Sequence, residues 1–190
     1  MDNHTPPIKK PKIQLLLDAD VLIHFFKAGK ILDFPTIFNE YEYILFDVVW
    51  EELRQPTIRF SIDILIKNNS ITFMEFPTSN ELIDYEFDYL RYQCSKGMGE
   101  SACMAYAKYN AQRDGVVASS NLRDLLPYCR DNHIPYVTTL DFLCRAMIIN
   151  LYTENECDEF IKIVVEKGSN IPIKKMSDYG CEERKILKYR

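Results

Sequence analysis

A chain of 190 residues, 47% apolar and 27% charged, suits one globular domain with a full core and excludes a disordered or fibrous chain. A net charge of −5 argues against a surface that tracks nucleic-acid backbone over a long footprint, though it leaves room for a small site where cations neutralise both carboxylates and a phosphate. No window reaches the apolar length of a membrane span, and MDNHTPPIKKPK lacks the apolar core of a signal peptide, so the expected location is cytoplasmic.

Residues 1–12 are polar and proline-bearing and read as a flexible N-terminus. IQLLLDADVLI (13–23) then supplies a short apolar run closed by Asp18 and Asp20, which suits a strand over 13–18 buried on both faces of a parallel sheet. One or two helices fill 20–39, interrupted near Gly29 and Pro35. YEYILFD (41–47) is the second strand. Asp47 is placed to cap the helix VVWEELRQ, which Pro56 stops, and a further helix covers about 58–68. SITFMEF (70–76) alternates as a third strand. Ser79 or Asn80 caps ELIDYEFDYLRYQCSKG, with Gly97 as C-cap. ESACMAYAKYNAQ is a helix of small residues, able to lie close to a sheet. GVVASS (115–120) is the fourth strand. Asn121 caps LRDLLPYCRDN, which Pro127 should bend or break, IPYVTT (134–139) is the fifth strand, and Asp141 opens DFLCRAMIIN as its N-cap. A last helix covers about 154–167. Strands alternating with helices predict an α/β fold, a central parallel sheet of about four to five strands with helices on both faces.

Six cysteines stand at 94, 103, 129, 144, 157 and 181, without Cys-x-x-Cys or zinc-finger spacing, and are expected to be buried free thiols in a reducing compartment. His24 lies in an apolar helix and reads as a packed histidine. Gly-x-Ser-x-Gly is absent, and GMGESA (97–102) follows a helix rather than a strand, so neither a hydrolase elbow nor a dinucleotide loop is present.

Carboxylates gather where strands end and helices begin. Asp18 and Asp20 follow the first strand, Glu51 and Glu52 the second; Glu100 opens the helix before the fourth, Asn121 and Asp124 follow it, and Asp141 follows the fifth. In a parallel sheet those ends share one edge, the usual ligand edge of open α/β sheets. Carboxylates crowded there repel one another unless a cation neutralises them, and an all-oxygen donor set suits Mg²⁺ or Mn²⁺.

The order of LLLDADVLI (15–23), DVVWEEL (47–53), GMGESACMAYA (97–107), VVASSNLRD (116–124) and IPYVTTLDFLCRA (134–146) resembles PIN domains, and in particular VapC-like ribonucleases. The resemblance covers most of 13–150 as a PIN-like nuclease domain, with 151–190 as a C-terminal helical extension packed on it. It implies a metal-dependent endoribonuclease in which Asp18, Glu52 and Glu100 match the three acidic positions and hold Mg²⁺ or Mn²⁺. The fourth position, usually aspartate, is Asn121, which offers oxygen but no charge; Asp124, one turn on, could compensate as a metal ligand, while Asp20 is auxiliary. Ser119 or Ser120 could orient a ligand or a phosphate, and Arg123, Lys96 and Lys27 are candidates for substrate phosphates. Expected partners are RNA, an antitoxin protein if the chain is the toxin of a toxin–antitoxin pair, and a second copy in a homodimer. Two alternatives stand: a PIN-fold binding module with a degraded site, and a haloacid-dehalogenase-like phosphatase built on Asp18-Ala19-Asp20. The second gives no role to Glu52 and Glu100.

Overall fold

A computed structural model describes residues 13–94, 96–110 and 115–181 of the chain. The expected loose start and the last nine residues of the extension lie outside the described residues. At the centre is a five-stranded, all-parallel sheet, consistent with a PIN-like α/β fold. Its strands are β1 (Gln14–Leu17), β2 (Glu42–Phe46), β3 (Thr72–Met74), β4 (Gly115–Ala118) and β5 (Tyr136–Val137), in the order β3-β2-β1-β4-β5. The first strand sits in the middle, pairing Leu15 with Tyr43 on one side and Val116 on the other. Leu15, Leu16 and Leu17 are fully buried, as an uninterrupted apolar run must be when helices cover both sheet faces. β3 is an edge strand, with Thr72 and Phe73 exposed, so its alternating pattern packs against little.

The connecting helices are α1 (Ala19–Lys27), α2 (Phe34–Ile37), α3 (Asp47–Glu52), α4 (Pro56–Lys67), α5 (Glu81–Asp88), α6 (Met98–Tyr109), α7 (Leu122–Asp131), α8 (Thr139–Ile148) and α9 (Glu154–Glu166). Asn80 caps α5 through Leu82 and Ile83 N–H. Several terminators differ from expectation. Pro56 opens α4 instead of stopping α3, because its fixed φ suits a first helical turn and it has no N–H to leave unpaired. Gly97 is not a C-cap; a π-helical turn, Tyr89–Gln93, follows α5, and Gly97 takes the extended conformation that begins α6. Asp47 lies inside α3, its Oδ1 accepting from Val48 and Phe76 N–H, which ties the ends of β2 and β3 together. Asp141 is the third residue of α8. Thr138 is the N-cap, and the two side chains form a reciprocal capping box. Pro127 sits inside α7 without ending it.

The core on one sheet face is aromatic. Phe25 of α1 lies 4.8 Å from Phe34, 5.7 Å from Phe142 of α8 and 4.9 Å from Phe160 of α9, centroid to centroid. Cys157, Phe160, Ile161 and Val164 of α9 are all buried, so the described part of the extension shares this core. The expectation of six buried free thiols needs correction. Cys144 and Cys181 are joined in a disulfide and Cys94 is exposed; Cys103, Cys129 and Cys157 are buried and free. Folding brings residues 37 apart in sequence to a Cα separation of 5.5 Å, which spacing along the chain could not reveal. Among the described residues, no helix is long and apolar enough to cross a membrane.

Candidate functional site

Parallel strands deliver their carboxyl ends to one edge of the sheet, and the chain turns there from strand to helix. Asp18 stands at the junction of β1 and α1. Its backbone N–H donates to the Ala118 carbonyl at 2.9 Å, holding the junction beside the end of β4. Its side chain caps α1 by accepting from Ala19 N–H at 2.8 Å, and its other oxygen accepts from the Ser119 hydroxyl at 2.8 Å. Both carboxylate oxygens are thus fixed in direction.

Glu52 arrives from the end of α3, where its Oε1 accepts from Gly99 N–H at 3.0 Å. Gly99 explains how the two carboxylates meet. A Cβ built there would lie 2.7 Å from Asp18 Oδ1 and 2.7 Å from Glu52 Oε2. Both oxygens therefore flank the one point on α6 where a side chain is absent. Glu100, on the next residue, is buried at the start of the same helix, with Gly97 beside its carboxylate.

Together Asp18, Asp20, Glu52, Glu100, Asn121 and Asp124 line one cleft of about 370 Å³. Burial raises the Asp18 carboxyl well above the ordinary range, and repulsion from Asp20 and Glu100 adds to it against the Ser119 and Ala19 hydrogen bonds. Burial likewise lifts Asp20 to about 6 and Glu100 to about 7. For Glu100, Asp124 and Asp20 add to the rise, while a hydrogen bond from Asn121 and the charge of Lys96 oppose it. Asp20 Oδ2 accepts from Ser120 N–H at 2.8 Å, but Oδ1 is buried with no hydrogen-bond partner. An unsatisfied buried carboxylate oxygen is costly and marks a place where an ion or water is wanted.

The chemistry of this donor set fits a hard divalent cation: oxygens only, several carboxyls in one cleft, and protonation raised by burial and, for Asp18 and Glu100, by neighbouring carboxylates. The carboxylates do not close into a ready cage. Among the described residues, no three His, Cys, Asp or Glu side chains are placed to hold a metal ion by themselves. Mg²⁺ commonly keeps several waters and takes only one or two carboxylates directly, which suits an open cleft of this kind.

Around these carboxylates the remaining candidates separate. Asn121 precedes α7 but makes no side-chain cap; its Nδ2 donates to Asp124 Oδ2 at 2.8 Å and turns that carboxylate into the cleft. Ser119 is fully buried, so its hydroxyl orients Asp18 and does not reach a phosphate. The Ser120 hydroxyl is within 2.7 Å of Thr139 Oγ1 and accepts from Thr139 N–H at 2.9 Å, and Thr139 Oγ1 is within 2.8 Å of His24 Nδ1. This chain pins the loop after β4 from below. Burial lowers His24 to about 4, so it stays neutral in that network. Lys96 is tied to the Asp124 carbonyl, and Lys27 donates to Ser169 Oγ at 2.7 Å. The Arg123 side chain is 90% exposed, 3.9 Å from Asp124 and outside the cleft lining. Asp141 is consumed by the α8 cap and by the Tyr179 hydroxyl.

The chain matches no family model, no curated protein and no solved structure.

Sequence reasoning understated one residue. The resemblance makes Asp20 auxiliary, yet the first turn of α1 places it on the lining of the same cleft. A polar residue in the first turn of an otherwise apolar helix was the available signal. Gly99 gave no signal beyond its type.

Proposed function

We propose that the protein is a metal-dependent ribonuclease of PIN type that hydrolyses RNA phosphodiester bonds with Mg²⁺ or Mn²⁺. The observation that carries this reading is the shared cleft of Asp18, Asp20, Glu52, Glu100 and Asp124 at the carboxyl edge of a parallel sheet, with Asp18, Asp20 and Glu100 raised by burial and Asp18 and Glu100 also by neighbouring carboxylates. Such a set is under-neutralised by itself and gains most from a divalent cation.

Asp18, Glu52, Glu100 and Asp20 would hold the ion, one or two of them directly and the others through water, with Asp124 beside them in the cleft lining. When bound, a divalent ion supplies charge that activates water and offsets the negative charge developing on a phosphodiester. The chain supplies the rest. Ser119 and Ala19 N–H fix the Asp18 carboxylate, so it need not reorganise during reaction. Gly99 N–H does the same for Glu52. Asn121 holds Asp124 in place without adding a charge that the crowded cleft would have to neutralise.

The phosphatase alternative leaves Glu52 and Glu100 unused, although both line the cleft with Asp18. Purified protein is expected to cleave RNA with Mn²⁺, and Asp18→Asn to lose at least 100-fold of that activity. Equal activity in the two proteins would sink the assignment. Absence of cleavage together with no Mn²⁺-dependent rise in Tm would favour the degraded binding module instead.

A further inference from the structure

Beyond Glu52 the surface changes sign. A second cavity, of about 640 Å³, lies between the end of α1, the α3–α4 turn and the end of α9. Ile23 and Glu52 line both this cavity and the acidic cleft, so the two spaces share a wall. Its floor is apolar, with Ile23, Phe26 and Ile58, and its rim carries Lys27, Arg54 and Lys167. Glu52 at the shared wall is the only acidic residue among those lining it. The rim is organised: Lys167 Nζ donates to the Lys27 carbonyl, and Lys27 Nζ to Ser169 Oγ at 2.7 Å. Among the described residues none of the three cations is in an ion pair. On a chain of net charge −5, three cations around an apolar floor, with no ion pair of their own among the described residues, form a local exception.

An apolar floor with a cationic rim matches a nucleotide, whose base has apolar faces and whose phosphate is anionic. A strand with its scissile phosphate over Asp18 and Glu52 would pass directly into this space. A duplex could not fill it, because its bases are stacked and paired within the helix. We propose that this cavity is the subsite for the nucleotide adjoining the scissile phosphate of single-stranded RNA, with the base on Ile23, Phe26 and Ile58 and the phosphate held by Lys27, Arg54 and Lys167. The choice of ligand rests on the nuclease reading above.

The test uses the full chain carrying Asp18→Asn, so that RNA is bound but not cut, and a fluorescein-labelled single-stranded oligouridine followed by anisotropy across a salt series. Adding Arg54→Gln and Lys167→Gln should weaken binding about tenfold or more and lower the slope of log K against log salt by about 0.7, the contribution of one phosphate contact on a single strand. An RNA duplex should bind at least tenfold more weakly than the single strand. Should the double substitution lower Tm, Arg54→Gln alone, at an exposed position, should give about half the change in slope. Unchanged affinity and slope, or tighter binding of a polyglutamate peptide than of the oligonucleotide, would overturn the subsite even if the unmutated protein cleaves RNA. If that protein cleaves no RNA with Mn²⁺ while the Asp18→Asn form still binds the single strand through Arg54 and Lys167, the subsite stands and the nuclease reading falls.

Discussion

Burial of Glu100 and Asp20 at the head of the cleft sets a pH dependence whose sign can be worked out. Both carboxyls are raised in the folded chain, to about 7 and about 6, above their ordinary values in the unfolded chain. Between those values the folded state holds more protons than the unfolded state, so stability falls as pH rises from about 4 through about 7. Either group taken alone accounts for on the order of 3 kcal/mol. In EDTA, Tm should therefore be higher at pH 5 than at pH 8, and saturating Mn²⁺ should recover much of the loss at pH 8. Glu100→Gln should raise Tm in EDTA at pH 8 while abolishing both RNA cleavage and the Mn²⁺-dependent rise; a site residue that stabilises when neutralised is the mark of a group kept for function. A Tm in EDTA that rises from pH 5 to pH 8 would contradict the burial of these charges.

At the scale of elements, the start of α6 is where helix and site geometry meet. The helix is rich in small residues because it packs on β4 and α5, but Gly99 answers a narrower demand, the approach of Asp18 and Glu52 to its Cα. Gly99→Ala inserts a methyl 2.7 Å from both oxygens, so at least one carboxylate must move. The expected cost is about 1–3 kcal/mol of stability, as for other overpacking substitutions, with RNA cleavage reduced well beyond what the loss of folded protein explains. Thermal melts and Mn²⁺-dependent cleavage on the same preparation separate the two effects. Cleavage at the unmutated rate would show that the Asp18–Glu52 approach is dispensable.

For the molecule as a whole, α9 belongs to the core that supports the site. Phe160 packs edge-on against Phe25 of α1, the helix that begins at Asp18, and Phe25 also touches Phe34 and Phe142. Phe160→Ala should cost about 3–5 kcal/mol in chemical denaturation. A loss below 1 kcal/mol would instead make the C-terminal extension an independent appendage.

The sequence alone determined the alternation of strands and helices, the buried character of β1, and the roster of carboxylates at strand ends. Periodicity and capping residues are local, and each apolar run needs only its own neighbours to declare it. That roster was legible because a parallel sheet brings all its carboxyl ends to one edge whatever the details of packing, while the choice of Asp18, Glu52 and Glu100 within it is what the PIN resemblance implies. Local competition decided the misplaced terminators, where Thr138 is the N-cap and accepts from Asp141 N–H, and Asn121 turns to Asp124 instead of its helix. Tertiary structure alone decided that Asp20 shares the cleft, that Gly99 admits Glu52 beside Asp18, that Ser119 is a buried support, that Cys144 meets Cys181, and that Lys167 from the far end of the chain lies beside Lys27. Those relations join residues tens of positions apart, and only the packing of helices on the sheet sets their distances.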